Sequence, residues 1–219
     1  MMPFPLALAP LSHEKRCPGS MWKAIPRFQP TTPFSLILGT LWRALFGRNE
    51  QGPETERFEA TFAKHTGAEE AIAISSVRYG LYNTIHYMKL PPGSEVLCGP
   101  LTIYPVIETL LLAGLKPVFV DLLPHTFSLD LADTEKKLSP NSRVLFVTHL
   151  WGVPNDMTRI VEFCNKHKLE LLEDGSQCLN ASVHDKQVGT FGRAGFFSLT
   201  FTKTLNTFRG GMALTNDPD

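Results

Sequence analysis

Between residues 71 and 214 the chain alternates short apolar runs with longer segments of helical period, and few folds accept that alternation. The runs are Ala71–Ile74, Glu95–Cys98, Pro117–Val120, Val144–Val147, Leu169–Leu172, Gly195–Leu199 and Gly211–Leu214. Tyr79–Met88, Val106–Ala113, Leu131–Leu138 and Met157–Lys166 read as helices between them, and Arg57–Ala63 as a helix before them. Strands apolar on both faces that alternate with helices predict a three-layer α/β domain, a mostly parallel seven-stranded sheet flanked by helices. In such sheets ligands bind beyond the carboxyl ends of the strands, so the residues just after each run are the candidates for chemistry. At 219 residues the chain has room for one such domain and little else.

Composition narrows the function classes. With 21 basic and 21 acidic residues the formal net charge is zero, which gives no electrostatic footprint for nucleic acid or an anionic membrane. Cys17, Cys98, Cys164 and Cys178 form no CxxC pair and no metal-ligand spacing, so neither a metal site nor a disulfide framework is expected, and a reducing cytoplasm is the expected location. Residues 1–30 are rich in proline and without period; they read as an irregular lead-in, with Met21 as an alternative start and no signal peptide. Phe34–Phe46 contains Arg43 and falls short of the about 20 residues needed to cross a bilayer. It reads as an amphipathic helix that packs on the domain or on a partner subunit. No G-x-G-x-x-G or P-loop pattern is present, which weakens the dinucleotide and nucleoside-triphosphate readings.

Three polar positions stand beside strand-like runs: the Ser75-Ser76-Val77-Arg78 turn, Asp174, and Ser198 with Lys203. Singly each has a plain structural reading: a helix N-cap, a turn residue, a solvated lysine. Jointly, on one rim of one sheet, they meet the needs of pyridoxal phosphate (PLP): an amine for its aldehyde, an anion for its ring nitrogen and donors for its phosphate. Lys203 supplies the amine, Asp174 the anion, and the helix start at Ser76-Val77-Arg78 and the Ser198 hydroxyl the phosphate donors.

The run from about Arg57 to Asp217 resembles the DegT/StrS family of sugar aminotransferases. The resemblance is carried by Pro92-Gly93-Ser94-Glu95-Val96, by Ala113-Gly114-Leu115-Lys116-Pro117-Val118-Phe119-Val120-Asp121, and by His149-Leu150-Trp151-Gly152. It continues in Leu172-Glu173-Asp174-Gly175-Ser176-Gln177 and in Phe197-Ser198-Leu199 leading to Lys203 and Gly210-Gly211. That resemblance implies the large domain of a fold-type I, PLP-dependent transferase over residues 31–219, with the C-terminal small domain of the family absent. It implies Lys203 as Schiff-base lysine and proton shuttle, Asp174 as partner of the ring nitrogen, Gln177 near the ring, and Ser198 and the Ser76 turn at the phosphate. It further implies an amino donor such as glutamate, a keto sugar linked to a nucleotide as acceptor, and a homodimer.

Departures from the family pattern are also legible. Val77-Arg78 replaces a Gly-Thr pair, so Arg78 either takes a charged contact to the phosphate or is a solvated helix residue. Ile103 stands where an aromatic residue commonly stacks on the ring; either Ile103 packs there or Tyr104 takes the role. Phe208-Arg209-Gly210-Gly211 replaces Gly-Glu-Gly-Gly, which reverses a charge. His149 reads as structural, Trp151 as packing, and Cys98 and Cys178 as buried apolar residues. A non-catalytic remnant that binds cofactor or dimerises is the alternative to an active enzyme. A dehydratase branch of the family has histidine at the position of Lys203, and this chain does not.

Overall fold

The computed structural model describes residues 34–46 and 53–217. The expected lead-in over residues 1–30, Met21 and Cys17 lie outside the described residues. Six helices occur among the described residues: α1 (Phe34–Phe46), α2 (Pro53–Thr66), α3 (Val77–Tyr87), α4 (Tyr104–Leu112), α5 (Leu131–Lys136) and α6 (Met157–His167). The strands are β1 (Glu70–Ile74), β2 (Glu95–Cys98), β3 (Lys116–Phe119), β4 (Ser142–Thr148), β5 (Glu170–Asp174), β6 (Ser182–Val183), β7 (Lys186–Gln187), β8 (Ala194–Ser198) and β9 (Gly211–Thr215). The seven apolar runs therefore become the seven strands of one sheet, in the order β1-β9-β8-β5-β4-β2-β3. Strands β3, β2, β4, β5 and β8 pair in parallel, and β9 is inserted antiparallel between β8 and β1.

The period-2 alternation of each strand sends its side chains into two different cores. On one face Leu172, Phe146 and Phe196 meet Leu81 and Ile85 of α3 and Val106 and Leu110 of α4. On the other face Leu171, Leu145 and Val147 meet Met157, Ile160 and Phe163 of α6, while Phe197 and Met212 meet Phe62 of α2. Burial on both faces holds for β2 and the centre of β4, but not for β1 or β3. Those two are the sheet edges, and Ile72 and Phe119 remain about half exposed there. Cys98, Cys164 and Cys178 are buried, and burial pushes their thiols up to about 12, 12 and 11.

Helix α1 has the expected bounds. Phe34, Leu38, Leu41, Trp42 and Leu45, spaced to share one helical face, are each more than half exposed. No helix of the described residues is long and apolar enough to cross a membrane. The β6–β7 hairpin was not legible in the sequence: its two-residue turn, His184-Asp185, has positive φ at both positions without the Asn-Gly signal that usually announces such a turn.

Two buried carboxylates organise the sheet. Glu95, at the start of β2, accepts from the Ser139 and Ser142 hydroxyls and from Lys116 at 2.9 Å, which joins β2, β3 and the loop before β4. Glu173, fully buried in β5, accepts the backbone N–H groups of Gly189 (2.9 Å), Phe191 (2.7 Å) and Gly192 (2.8 Å). The fourth donor is His149: its Nδ1 accepts the Asn155 N–H at 3.1 Å, so the ring proton is assigned to Nε2, 3.3 Å from Glu173. His149 is thus structural, as expected. The bound loop lies so close to β8 that a Cβ on Gly195 would sit 2.0 Å from the Gly189 carbonyl oxygen.

Glu173→Ala leaves three buried N–H donors without an acceptor, each worth about 1–3 kcal/mol. The expected result is a loss of more than about 3 kcal/mol in urea unfolding or failure to accumulate as folded protein; a variant with wild-type stability would refute the hub. The Ser139 hydroxyl, followed by Lys116, holds the Glu95 carboxyl below its ordinary value of 4.5. A depressed folded value means that this contribution to stability is complete above 4.5 and is lost as the pH falls through the lower folded value. Glu95→Gln is therefore expected to flatten the acid limb of stability against pH in that window, as read from urea midpoints at successive pH values.

Candidate active site at the carboxyl rim

The carboxyl ends of β1, β2, β4, β5 and β8, with the turn that enters β9, surround a cavity of about 1130 Å³. Each wall is set by a strand end. From β1 the chain turns through Ser75 and Ser76 into α3, and Ser76, Val77 and Arg78 line the cavity. Ser76 is the N-cap, with its Oγ accepting the Tyr79 N–H at 3.2 Å. As an acceptor it keeps its own O–H to donate, and the N–H groups of Val77 and Arg78 lie in the first turn, where no helical carbonyl reaches them.

From β2 the chain reaches the rim through Pro100 to Ile103, the N-cap residue of α4. Ile103 lines the cavity, whereas Tyr104, 71% exposed, is not part of the lining. Thr102 lines it too, with its Oγ1 buried and without a hydrogen-bond partner among the described residues.

Asp174 is the last residue of β5 and pairs with Thr148 of β4 on one side and Phe196 of β8 on the other. Its carbonyl accepts the His149 N–H at 3.0 Å, and the next residue, Gly175, donates to the Phe196 carbonyl at 2.9 Å. The side chain, 7% exposed, accepts the Ser176 N–H at Oδ1 and lines the cavity, while Oδ2 makes no hydrogen bond among the described residues. Ser176 Oγ in turn accepts the Ser198 N–H at 3.2 Å, which locks the β5 and β8 ends together. Gln177, exposed, accepts the Trp151 N–H at 3.2 Å and so ties the loops after β5 and β4.

Ser198 ends β8 with its hydroxyl 3.3 Å from that of Thr200. The Lys203 N–H donates to the Thr200 carbonyl at 2.9 Å, a turn that returns the half-buried lysine to the cavity. Its side chain makes no hydrogen bond or ion pair among the described residues. Asp174 and Lys203 thus share one cavity, together with Ser76, Val77, Arg78, Ile103, Gln177 and Ser198. Sequence reasoning assigned nothing to Thr102, Ser176 or Glu173; only Glu173 carried a signal, as a charge inside an otherwise apolar strand.

This architecture is that of the fold-type I aminotransferases. The chain belongs to the DegT/DnrJ/EryC1/StrS aminotransferase family, whose model matches residues 44–219. It is 32% identical over 170 residues to the dTDP-4-dehydro-2,3,6-trideoxy-D-glucose 4-aminotransferase of Saccharopolyspora spinosa, covering 77% of this chain and 44% of that protein. With the GDP-perosamine synthase of Caulobacter vibrioides it shares 34% identity over 162 residues, 74% of this chain and 44% of the relative. Among solved structures, the aminotransferase TlmJ from Streptoalloteichus hindustanus superposes with a TM-score of 0.81 at 30% identity, over 87% of this chain and 53% of that one. The chain spans about half the length of these relatives.

Ser76→Ala removes the N-cap acceptor of α3 and is expected to lower stability by about 1 kcal/mol in urea unfolding. Ser76→Asp, which caps equally well but places a negative charge at the rim, should restore that stability. Failure of the aspartate variant to recover it would show that the cap contributes little.

Proposed function

We propose that this chain is the cofactor-binding large domain of a PLP-dependent aminotransferase, acting between an amino acid such as glutamate and a keto group on a nucleotide-linked sugar. The observation that carries the reading is the shared cavity of Lys203 and Asp174, each with an unpaired polar atom. The donor set suits PLP: a primary amine, a mostly buried carboxylate, the Ser76 and Ser198 hydroxyls, free N–H groups at a helix start, and the orphaned Thr102 hydroxyl. The cavity of about 1130 Å³ has room for a substrate beside the cofactor.

When bound, PLP supplies an aldehyde that captures amines and a protonated ring that withdraws electrons from the captured carbon. Lys203 would hold the aldehyde carbon, and its amine would serve as the base that moves the proton at the substrate carbon bearing nitrogen. Asp174, fixed by the Ser176 N–H, keeps the ring nitrogen protonated. Ser76, Ser198 and the α3 amides hold the phosphate, and Arg78 adds a charge-assisted contact. Ile103 would offer an aliphatic surface to the ring in place of an aromatic one, and Gln177 lines the same cavity. The names of the relatives support the acceptor class: one acts on a dTDP-linked dehydro sugar and another makes GDP-perosamine. A homodimer is part of the same proposal: Phe34, Leu38, Leu41 and Leu45 of α1, each more than half exposed, offer an apolar surface to a second copy.

Incubated with PLP and passed through a desalting column, the chain is expected to retain a visible absorbance band. Borohydride reduction should then leave the cofactor's mass on Lys203, read by peptide mass spectrometry. Lys203→Ala is expected to show neither. A colourless wild-type protein, or attachment at another lysine, would overturn the assignment. Loss of the band on adding L-glutamate supports the amino-donor step, and a band indifferent to every amino acid favours a non-catalytic remnant.

A further inference from the structure

The chain as a whole is neutral, yet the cavity is not: Arg78, Lys203 and Arg209 line it against the single carboxylate of Asp174. Such a concentration of one sign in a concave site attracts and orients anions. The cofactor proposed above accounts for most of it. Asp174 is matched by the protonated ring nitrogen, the amine of Lys203 is consumed in attachment, and the phosphate faces Arg78 and the start of α3. Arg209 is left over.

Arg209 is exposed, but its backbone is fixed in place. The turn from Thr207 to Gly210 is clamped to the end of β8: the Thr207 N–H donates to the Leu199 carbonyl at 2.9 Å and the Leu199 N–H to the Gly210 carbonyl at 3.1 Å. The Thr207 hydroxyl donates to the carbonyl of Arg209 itself at 2.6 Å. Phe208 and Gly210 flank it with φ values of 67° and 92°, a backbone that holds the arginine at the cavity wall beside the β1 end. The backbone is therefore held on both sides, while the side chain makes no ion pair or hydrogen bond within the described chain. A fixed base with an unpaired planar fork is suited to bidentate capture of oxyanions.

We propose that Arg209 is a specificity-determining residue that binds an anionic group of the substrate, a carboxylate or a phosphoryl group, in the cavity alongside the cofactor. The inference rests on the PLP reading and names what that site selects. The carboxylate would come from the amino donor and the phosphoryl from the nucleotide of the acceptor.

The test uses the full chain loaded with PLP, as wild type, Arg209→Gln and Arg209→Lys, with two probes. L-glutamate is titrated against the visible spectrum, and UDP is titrated by calorimetry. Arg209→Gln is expected to raise the half-saturating concentration of one probe at least about tenfold, as loss of a charged hydrogen-bonded contact does, with PLP affinity changed less than about twofold. The probe that moves identifies the source of the anion. Arg209→Lys, which keeps the charge without the fork, should recover part of the loss. The proposal is overturned if both probes bind Arg209→Gln as they bind wild type, or if wild type binds neither. It is equally overturned if the variant weakens only PLP, which would assign Arg209 to the cofactor phosphate, or if only self-association changes, which would assign it to a subunit contact. A wild-type chain that takes up no PLP overturns the cofactor reading and this inference together, an outcome distinct from normal loading with an inert Arg209.

Discussion

Two carboxylates stand side by side in the central strand β5, and the pleat sends them to opposite faces of the sheet. Glu173 turns toward the α6 side, where three backbone N–H groups and His149 converge on it. Asp174 turns toward the α3–α4 side and reaches the cavity. A fully buried carboxylate is tolerable only when its acceptor sites are filled, and here the filling comes from the loop of residues 189–192, which Phe191 and Asn216 also help to seat. That anchoring fixes the end of β5 on one face, so Asp174 is held at the cavity floor from behind. Gly195 completes the arrangement by leaving room for the loop's backbone.

From this anchor the rim is built by short links between neighbouring loops. Ser176 joins the β5 and β8 ends, Gln177 joins the β5 and β4 loops, and Thr207 and Leu199 join the β8 end to the turn before β9. Each link uses backbone donors or acceptors, which leaves one oxygen of Asp174, the Lys203 amine and the Arg209 guanidinium without partners among the described residues of the cavity wall. Pre-ordered groups of this kind need little rearrangement when a ligand arrives, which is the physical advantage of placing a site on strand ends rather than within a long loop.

The residues that depart from the family pattern cluster on that same rim. Val77-Arg78 keeps the helix start but exchanges a small polar residue for a cation, and Ile103 keeps a wall while Tyr104 turns out of the lining. Arg209 adds a further positive charge to the same wall. Beneath the rim lie the buried carboxylates of the scaffold, Glu95 with its partner Lys116 and the Glu173-Asp174 pair.

Apolar periodicity in the sequence was enough to set the seven strands, their alternation with helices and the side of the sheet where chemistry gathers, because burial of both strand faces is a local property of composition. It also set which residue types could serve an amine, an anion and an oxyanion hold. Which strand lies at an edge and that His184-Asp185 closes a hairpin were decided only by tertiary structure. So were the partners of Glu173 and the meeting of Lys203 with Asp174, 29 positions apart in the chain. Those facts depend on which distant segments share a neighbourhood, and a buried charge, a shared cavity or a close backbone approach has no local period to betray it.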